Sequence, residues 1–336
     1  MSNQIKYPSD NKVVFSVVIP YWNQLKLFSV CLDQLCKQSQ KNFELVIIDN
    51  GSIEDPRGLL ESTGLVYKYM RNAENLGFAI ASNQGIRIAT GRFILVLNTD
   101  AFLASEFLKA AEELFNEHLN IGMLAGQTLL HQDGNLQPIP CEGGLTLTKQ
   151  FRKKYISNLE MEQKVFCSEG GAQIFRKTTL EEVKLQNGDY YDSSYFSFGE
   201  DTDLFLRAHI AGWQCLYSPT LKYWHIISAS LLGKVRGYEK PLFFQFHTHK
   251  NRIATLLTSV PAGLIQRFII YIVTAELGRF ILYLSKRPSS LFPYLRAGFY
   301  ILLHIPSIAK KRKRVLAQNK RAHQVLLDLI CGNDYQ

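Results

Sequence analysis

The sequence predicts an α/β fold, in which helices flank a Rossmann-like and mostly parallel sheet. Three observations indicate this class: short β-branched apolar runs, helical segments between them, and polar turns directly after the runs. The predicted order from residue 13 to residue 97 is β-α-β-β-α-β, which requires right-handed crossovers between parallel strands. A chain of 336 residues can hold one large domain of this kind and a smaller region.

The first hundred residues contain four predicted strands, at residues 13–19, 43–48, 65–70 and 93–97. Helical spacing follows the first strand at 24–38, the third at about 78–89 and the fourth at about 104–116. The second strand ends in Asp49-Asn50-Gly51-Ser52, which has the composition of a turn. This alternation of buried strand and helix is the pattern of a parallel sheet.

The second half of the chain is less regular. Residues 130–165 are rich in Gly, Gln and Lys, and we interpret them as a loop insertion. Regular elements are then expected at 167–175 (strand), 178–183 (helix), 201–211 (helix ended by Gly212), 213–217 and 221–224 (short strands). From about residue 236 onward the pattern is helical. The predicted divisions are a tail at 1–12, a catalytic domain at 13–258 and a basic amphipathic helical region at 259–336.

The positive charge lies in the last region. Residues 261–336 carry 12 Lys and Arg against 3 Asp and Glu, whereas the rest of the chain carries 26 of each. The apolar runs 268–275 and 297–305 are too short to span a bilayer, and the basic cluster Lys310–Arg314 follows them. This arrangement predicts a peripheral segment on an anionic membrane surface. The alternative is an ordinary helical subdomain with a solvated basic face. Nucleic acid is not expected, since no recognition motif accompanies the charge.

The N-terminus lacks the apolar core of a signal peptide, and the six cysteines form no CxxC pair. We therefore expect free thiols and a location on the cytoplasmic face of the cell membrane.

Two acidic clusters stand about a hundred residues apart. Asn98-Thr99-Asp100 follows the fourth strand, and Glu200-Asp201-Thr202-Asp203 opens a predicted helix, with Trp224-His225 further on. Carboxylates at the carboxyl end of a parallel strand face the crevice where such sheets bind ligands. A second acid and a histidine from elsewhere would complete a site for a metal ion and a base. No P-loop and no GxGxxG follows the first strand, which disfavours an NTPase or an NAD site.

Each of these residues also has a purely structural interpretation. Asp49 and Asn50 could be turn formers, Asp201 a first-turn acid and His225 a core histidine. Asp203 could pair with Arg207. Arg252 could meet either a diphosphate or an acidic surface.

Five segments together resemble glycosyltransferase family 2. They are Val17–Asn23, Val46–Ser52, Asn75–Ile86, Leu97–Asp100, and Phe198–Leu204 with Trp224-His225. The resemblance covers residues 13–258 and is nearest to the bacterial rhamnosyltransferase-like branch. It implies a GT-A fold, a nucleotide-sugar donor, Mg²⁺ or Mn²⁺, and an inverting transfer of the hexosyltransferase class.

The resemblance also implies roles for single residues. Asp201, with Glu200 beside it, would be the catalytic base, while Asp100 and His225 would hold the metal ion. The nucleotide-sugar site would contain Pro20, Tyr21, Asn23, Asp49, Asn50, Asn75, Gly77, Asn98 and Asp100. Asn98 departs from the frequent Asp-x-Asp motif, which leaves Asp100 as the charged ligand at the strand end.

The expected reaction transfers a sugar to a saccharide acceptor, lipid-linked in our interpretation, during surface polysaccharide synthesis. Rhamnose from a dTDP donor is the first hypothesis, again by resemblance. A UDP-hexose or UDP-galactofuranose donor is the rival within the class, and a catalytically inactive assembly scaffold is the rival outside it. A nucleotidyltransferase would need a Gly-rich triphosphate loop and a lysine after the first strand, and Pro20–Gln24 offers neither.

Overall fold

Long apolar runs form the centre of the sheet because helices cover both of its faces. The structure, a computed structural model, describes residues 13–132, 135–226, 240–317 and 322–331. Alternate residues of the first strand point to opposite sides: Val18 joins one hydrophobic cluster, while Val17 and Ile19 join the other. The predicted N-terminal tail and the predicted start of the helical region near residue 236 lie outside the described residues.

The strands are β1 (Phe15–Tyr21), β2 (Phe43–Asp49), β3 (Tyr67–Arg71), β4 (Phe93–Leu97), β5 (Ala101–Leu103), β6 (Ile121–Gln132), β7 (Asn135–Glu142), β8 (Leu145–Leu147), β9 (Lys153–Tyr155), β10 (Gln163–Val165), β11 (Ala172–Arg176) and β12 (Gln214–His225). The helices are α1 (Leu25–Cys36), α2 (Arg57–Thr63), α3 (Phe78–Ile88), α4 (Phe107–Glu117), α5 (Lys177–Glu182), α6 (Glu200–Ala211), α7 (Leu242–Ser259), α8 (Ala262–Arg267), α9 (Ile269–Lys286), α10 (Leu291–Leu303), α11 (Ile305–Ala317) and α12 (Ala322–Cys331).

The main sheet has the order β10-β12-β6-β11-β4-β1-β2-β3. Strands β3, β2, β1 and β4 are parallel to one another, and β11 joins β4 in the antiparallel direction. The edge strands β5 and β7 pair with β12 and β6, while β8 and β9 form a separate ribbon. The predicted α/β class with a mostly parallel central sheet is therefore confirmed.

Three details of the predicted order are wrong. Helix α2 lies between β2 and β3, so the order is β-α-β-α-β-α-β. Residues 130–165 are not a structureless insertion, because the end of β6 and the strands β7 to β10 occupy most of them. The two strands predicted at 213–224 are one strand, β12, with a register shift between Tyr217 and Lys222 around Pro219.

The C-terminal helices pack on the α/β part of the chain. Helix α7 contacts α6, α10 and α11, and α12 contacts α6 and β8. Val315 on α11 and Leu326 on α12 belong to the same buried cluster as the central strands. Among the described residues, no helix combines the length and apolar character needed to cross a membrane.

Candidate active site

The turn after β4 brings Asp100 to the end of β12. The Asn98 amide donates to the Gly171 carbonyl at 2.9 Å, and the Asp100 carbonyl accepts from the Ile226 amide at 3.0 Å. Because β5 pairs with β12, His225 lies opposite Ala101. The His225 Nε2 atom is therefore 3.4 Å from Asp100 Oδ1, and both side chains are buried. The structure thus brings together the two residues predicted to hold a metal ion.

Glu169 completes this group, although the sequence analysis did not select it. Its Oε1 lies 2.7 Å from His225 Nδ1, while Oε2 accepts from Tyr223 Oη at 3.0 Å and from Thr128 Oγ1 at 3.2 Å. Burial opposes the charge on His225, but Glu169 and Asp100 outweigh it and raise the pKa of His225 to about 10. A carboxylate on the second nitrogen of a histidine is the usual support of a metal-ligating imidazole.

Gly171 permits this arrangement by lacking a side chain. A Cβ atom there would lie 2.8 Å from the His225 ring. Asp100 offers an oxygen ligand and His225 a nitrogen ligand close to each other, which suits a divalent cation. Within the described residues, no cluster of three or more His, Cys, Asp or Glu is placed to hold an ion. A cation bound between Asp100 and His225 would have to take its further ligands from substrate or water.

The second acidic cluster lies at the N-terminus of α6. Gly199 caps this helix with a φ of 91°. Asp201 is buried, and its Oδ2 accepts from Lys153 Nζ at 2.5 Å. Burial opposes ionisation, but Lys153 and two hydrogen bonds from Thr202 hold the pKa of Asp201 below its ordinary value. Burial and the neighbouring Asp201 charge raise the pKa of Glu200 to about 8. At neutral pH the pair is one carboxylate beside one carboxylic acid.

Asp203 has a structural role in this helix. Its Oδ2 accepts from Arg207 Nε at 2.9 Å, and its Oδ1 accepts from Lys311 Nζ at 2.9 Å. Lys311 also reaches Asp192 Oδ2 at 2.7 Å. The expected pairing of Asp203 with Arg207 is confirmed.

The predicted nucleotide-site residues form a hydrogen-bonded loop cluster at the ends of β1 and β2. Asp49 is fully buried and accepts from Tyr69 Oη at 2.6 Å, Arg71 Nη1 at 2.8 Å and the Ser52 amide at 2.8 Å. Asn50 accepts from Asn72 and from the Leu76 amide, both at 3.0 Å. Protein groups therefore occupy the hydrogen-bonding atoms of Asp49 that were expected to meet a base.

The remaining residues of the predicted nucleotide-sugar site differ in their surroundings. Asn75 Oδ1 accepts from Asn50 at 2.8 Å and from the Gly77 amide at 2.9 Å. A Cβ on Gly77, whose φ is 88°, would lie 2.5 Å from the Phe196 carbonyl. Tyr21 points into the core, against Phe28. Half-buried Pro20 and Asn98 lie at the strand ends, and Asn23 accepts from the Ile53 amide at 2.8 Å.

Comparison with known proteins shows the family of the chain. The family model of glycosyl transferase family 2 matches residues 16–184, which is half of the chain. The chain belongs to glycosyl transferase family 2. The match includes the β1, β2 and β4 strand ends and Glu169, whereas Asp201 and His225 lie beyond it.

Related proteins are similar to this chain over part of their length. It is 28% identical over 204 residues to the minor teichoic acid biosynthesis protein GgaA of Bacillus subtilis, covering 57% of this chain and 42% of that protein. It is 22% identical over 222 residues to a poly(ribitol-phosphate) beta-glucosyltransferase of Bacillus spizizenii, covering 63% and 32%. The chain thus spans less than half the length of these relatives.

Solved structures share the GT-A fold of this chain. S. aureus TarS 1-349, crystallised in complex with UDP, is 18% identical with a TM-score of 0.56, and the match covers 93% of this chain and 90% of TarS. The mannosyltransferase PcManGT of Pyrobaculum calidifontis, in complex with GDP-Man and Mn²⁺, is 15% identical with a TM-score of 0.50, and the match covers 97% and 88%. The predicted membership and fold are confirmed, while the rhamnosyltransferase branch stays a prediction.

Two further features of the candidate site were not predicted. Lys153 was assigned to a loop, yet it contacts Asp201 from β9. Glu142, at the end of β7, has one buried oxygen without a hydrogen-bond partner among the described residues. Burial and the Glu169 charge raise the pKa of Glu142. Glu142 lies within the predicted insertion and Glu169 just after it, and no sequence pattern links the two acids. A cavity of about 740 Å³ beside α12 is lined by other residues, among them His209 and Trp213, and is distinct from this site.

Proposed function

We propose that the chain is a metal-dependent, inverting glycosyltransferase that moves a sugar from a nucleotide-sugar to a saccharide acceptor in cell-surface polymer synthesis. The observation that carries this proposal is the pair of Asp100 and His225 at the strand ends, with Glu169 behind the histidine. A cation held there would neutralise the diphosphate that leaves with the nucleotide. Membership in the family and the relatives in teichoic acid synthesis support the reaction class.

Asp201 would take the proton from the acceptor hydroxyl. Lys153 keeps this carboxylate ionised, so it is ready to accept a proton but is a weak base. Proton transfer would therefore come late, after charge has developed on the sugar. Glu200, protonated beside it, limits the local negative charge to one carboxylate. The positive end of the α6 dipole stabilises that charge further.

The Asp201→Asn variant tests this assignment. Transfer of labelled sugar should fall by about two to four orders of magnitude, as when a general base is removed, while donor affinity is kept. Glu61→Gln, an exposed change elsewhere, is the matched control. Full transfer by Asp201→Asn would remove Asp201 from the mechanism. Donor binding without transfer by the wild-type chain, with any acceptor, would favour the assembly scaffold instead.

The donor is proposed as dTDP-rhamnose, with a UDP-hexose or UDP-galactofuranose as the alternative. TarS was crystallised with UDP, which supports including uridine donors. Thermal shift with each nucleotide-sugar and Mg²⁺ or Mn²⁺ separates the candidates. A donor present at a hundred times its Kd adds about 2.7 kcal/mol to the stability of the fold. If chelator leaves both binding and transfer unchanged, the roles of Asp100 and His225 as metal ligands are wrong.

The acceptor is proposed to be lipid-linked, and the chain to lie on the inner, anionic face of the cell membrane. The outward face of α9 is apolar, with Ile270 72% and Leu277 55% exposed, while Glu276 and Arg279 point inward. Helix α10 repeats this outward face through Phe292 and Leu295. A helix suits the lipid surface when its solvent-facing side is apolar and its charged side chains face the rest of the protein. The exposed residues of the basic cluster on α11, which follows α10 in the chain, are Lys310, Lys313 and Arg314.

A further inference from the structure

Three arginines surround a single glutamate on the inner side of α9. Arg279 Nη1 lies 2.8 Å from Glu276 Oε2, and Arg252 of α7 contacts Glu276 Oε1. Arg152 donates from Nη2 to the Ala275 carbonyl at 3.5 Å. The side chains of Arg252 and Arg279 are each 16% exposed, whereas Arg152 is open to solvent. We call Arg152, Arg252 and Arg279 the arginine cluster.

The charges of the arginine cluster do not balance. Glu276 already accepts from Arg252, from Arg279 and from Tyr294 Oη at 3.2 Å. Each guanidinium has five N–H donors, and Arg252 Nε is buried without a partner among the described residues. Burial and the two neighbouring arginines also lower the pKa of Arg252, to about 10, despite the contact with Glu276. Uncompensated buried charge is costly, so a bound anion would stabilise this cluster.

The arginine cluster lies next to two parts of the molecule, helix α9 and the segment that contains Lys153. Arg279 belongs to α9, whose opposite face is the apolar stripe proposed to lie in lipid. Arg152 directly precedes Lys153, which contacts the candidate base Asp201. The Gln150 carbonyl accepts from Arg252 Nη2 at 3.1 Å and ties this segment to α7. The cluster therefore adjoins both the helix proposed to lie in lipid and the segment whose Lys153 contacts the candidate base Asp201.

We propose that Arg152, Arg252 and Arg279 bind the phosphate group that joins the acceptor saccharide to its lipid carrier. A planar guanidinium can donate two parallel hydrogen bonds to two oxygens of one phosphate. Several guanidinium groups together therefore suit a phosphate or diphosphate. A lipid chain in the bilayer would then present its phosphate to the arginine cluster and its sugar toward Asp201. This inference rests on the proposed function, because it assumes a lipid-linked acceptor.

The test measures binding of the full chain to phosphatidylcholine vesicles with and without polyprenyl phosphate. Arg152→Gln and Arg279→Gln should each weaken binding to the phosphate-bearing vesicles about tenfold, as expected for the loss of a charge-assisted hydrogen bond. Arg279→Lys should restore part of this affinity. Lys109→Gln is the matched control, because exposed Lys109 has the same charge and is paired with Glu106. Its binding should equal that of the wild type.

Three outcomes would overturn the proposal. Unchanged vesicle binding by folded Arg152→Gln and Arg279→Gln would show that the cluster does not contact the lipid phosphate. An equal loss in Lys109→Gln would show a general charge effect. If inorganic pyrophosphate stabilises the wild type while polyprenyl phosphate adds nothing to vesicle binding, the site takes free phosphate rather than lipid. Donor binding, measured by thermal shift in every variant, is independent of these results, so its absence would count against the proposed function alone.

Discussion

At the scale of single residues, two adjacent acids on one helix turn have opposite ionisation states. Asp201 has the Lys153 ammonium and the Thr202 amide as partners, whereas Glu200 has a buried oxygen without a partner among the described residues. Once Asp201 is charged, a second buried charge beside it is unfavourable. The surroundings of the two side chains therefore keep Asp201 as a carboxylate and Glu200 as a neutral acid.

Replacement of Glu200 by glutamine should change how stability depends on pH. The folded protein keeps Glu200 protonated up to pH about 8, whereas the unfolded chain releases this proton near 4.5. Between these values the folded state binds more protons, so its stability falls as pH rises through this window. Glu200→Gln removes that loss, and its Tm should vary less with pH from 4.5 to 8 than the wild-type Tm. Parallel curves for the two proteins would contradict this, and Glu61→Gln serves as control.

The sequence indicated candidate site residues, but it did not indicate which residues they contact. Asp100 was selected because it follows a strand, and His225 because of the resemblance to the family; the structure brings them to 3.4 Å. Glu169 was missed because its role depends on β12, β6 and the turn before β11 meeting at one point. Asp49 was expected to face a base, but Tyr69 and Arg71 arrive from the neighbouring strand β3, and pairing between strands is not visible in a local motif.

At the scale of elements, the ribbon of β8 and β9 supplies a cation to the active site. Lys153 begins β9, and its one-third exposed side chain contacts Asp201 on α6. This part of the chain was predicted to be a loop because its strands are short, polar and interrupted by glycines. The central strands were predicted because they are buried on both faces and hence mostly apolar. Half-exposed edge strands carry no such signal.

Removal of the Lys153 ammonium should alter the pH profile of the reaction. Lys153 holds the pKa of Asp201 below its ordinary value, so Lys153→Met should raise that pKa. A base with a higher pKa needs a higher pH to lose its proton, and the acidic limb of the kcat profile should move upward. Lys153→Arg should leave the limb near its wild-type position, as should the control Lys154→Met. An unmoved limb in Lys153→Met would show that Asp201 does not govern it.

At the scale of the whole molecule, the C-terminal basic cluster has two kinds of residue. Lys311 and Arg312 are half-buried: Lys311 joins Asp192 and Asp203, and Arg312 donates to the Leu257 carbonyl at 2.7 Å. Lys310, Lys313 and Arg314 are exposed. Only these three suit a test of membrane attraction. Lys311 holds α11 against α6, the helix that carries Asp201, and Arg312 holds it against α7.

Lys311→Met should therefore destabilise the fold. It leaves Asp192 and buried Asp203 without their shared cation, and loss of one partner of a buried ion pair costs about 3–5 kcal/mol. Lys313→Met removes the same charge at an exposed position and should change stability by less than about 0.5 kcal/mol. Chemical denaturation measures both. Equal stability of the two variants would show that Lys311 contributes no more than a surface lysine.

The membrane face can be tested without disturbing the core. Phe292→Glu and Leu295→Glu change side chains that are 67% and 60% exposed, so the Tm should hardly move. Each lost apolar side chain should weaken binding to anionic vesicles by about 1.5–3 kcal/mol, which is about tenfold to a hundredfold. Leu119→Glu, at a position 76% exposed between α4 and β6, should bind like the wild type. Unchanged binding by the α10 variants would rule out this face as the membrane contact.

The outward apolar stripes of α9 and α10 also determine how the purified protein behaves in water. Without lipid, side chains such as Phe299, Leu302 and Leu303, each more than 60% exposed, have only solvent or another protein molecule to contact. A surface of this kind promotes self-association. We expect the chain to form concentration-dependent aggregates in plain buffer and to become monodisperse when a mild detergent covers the stripes.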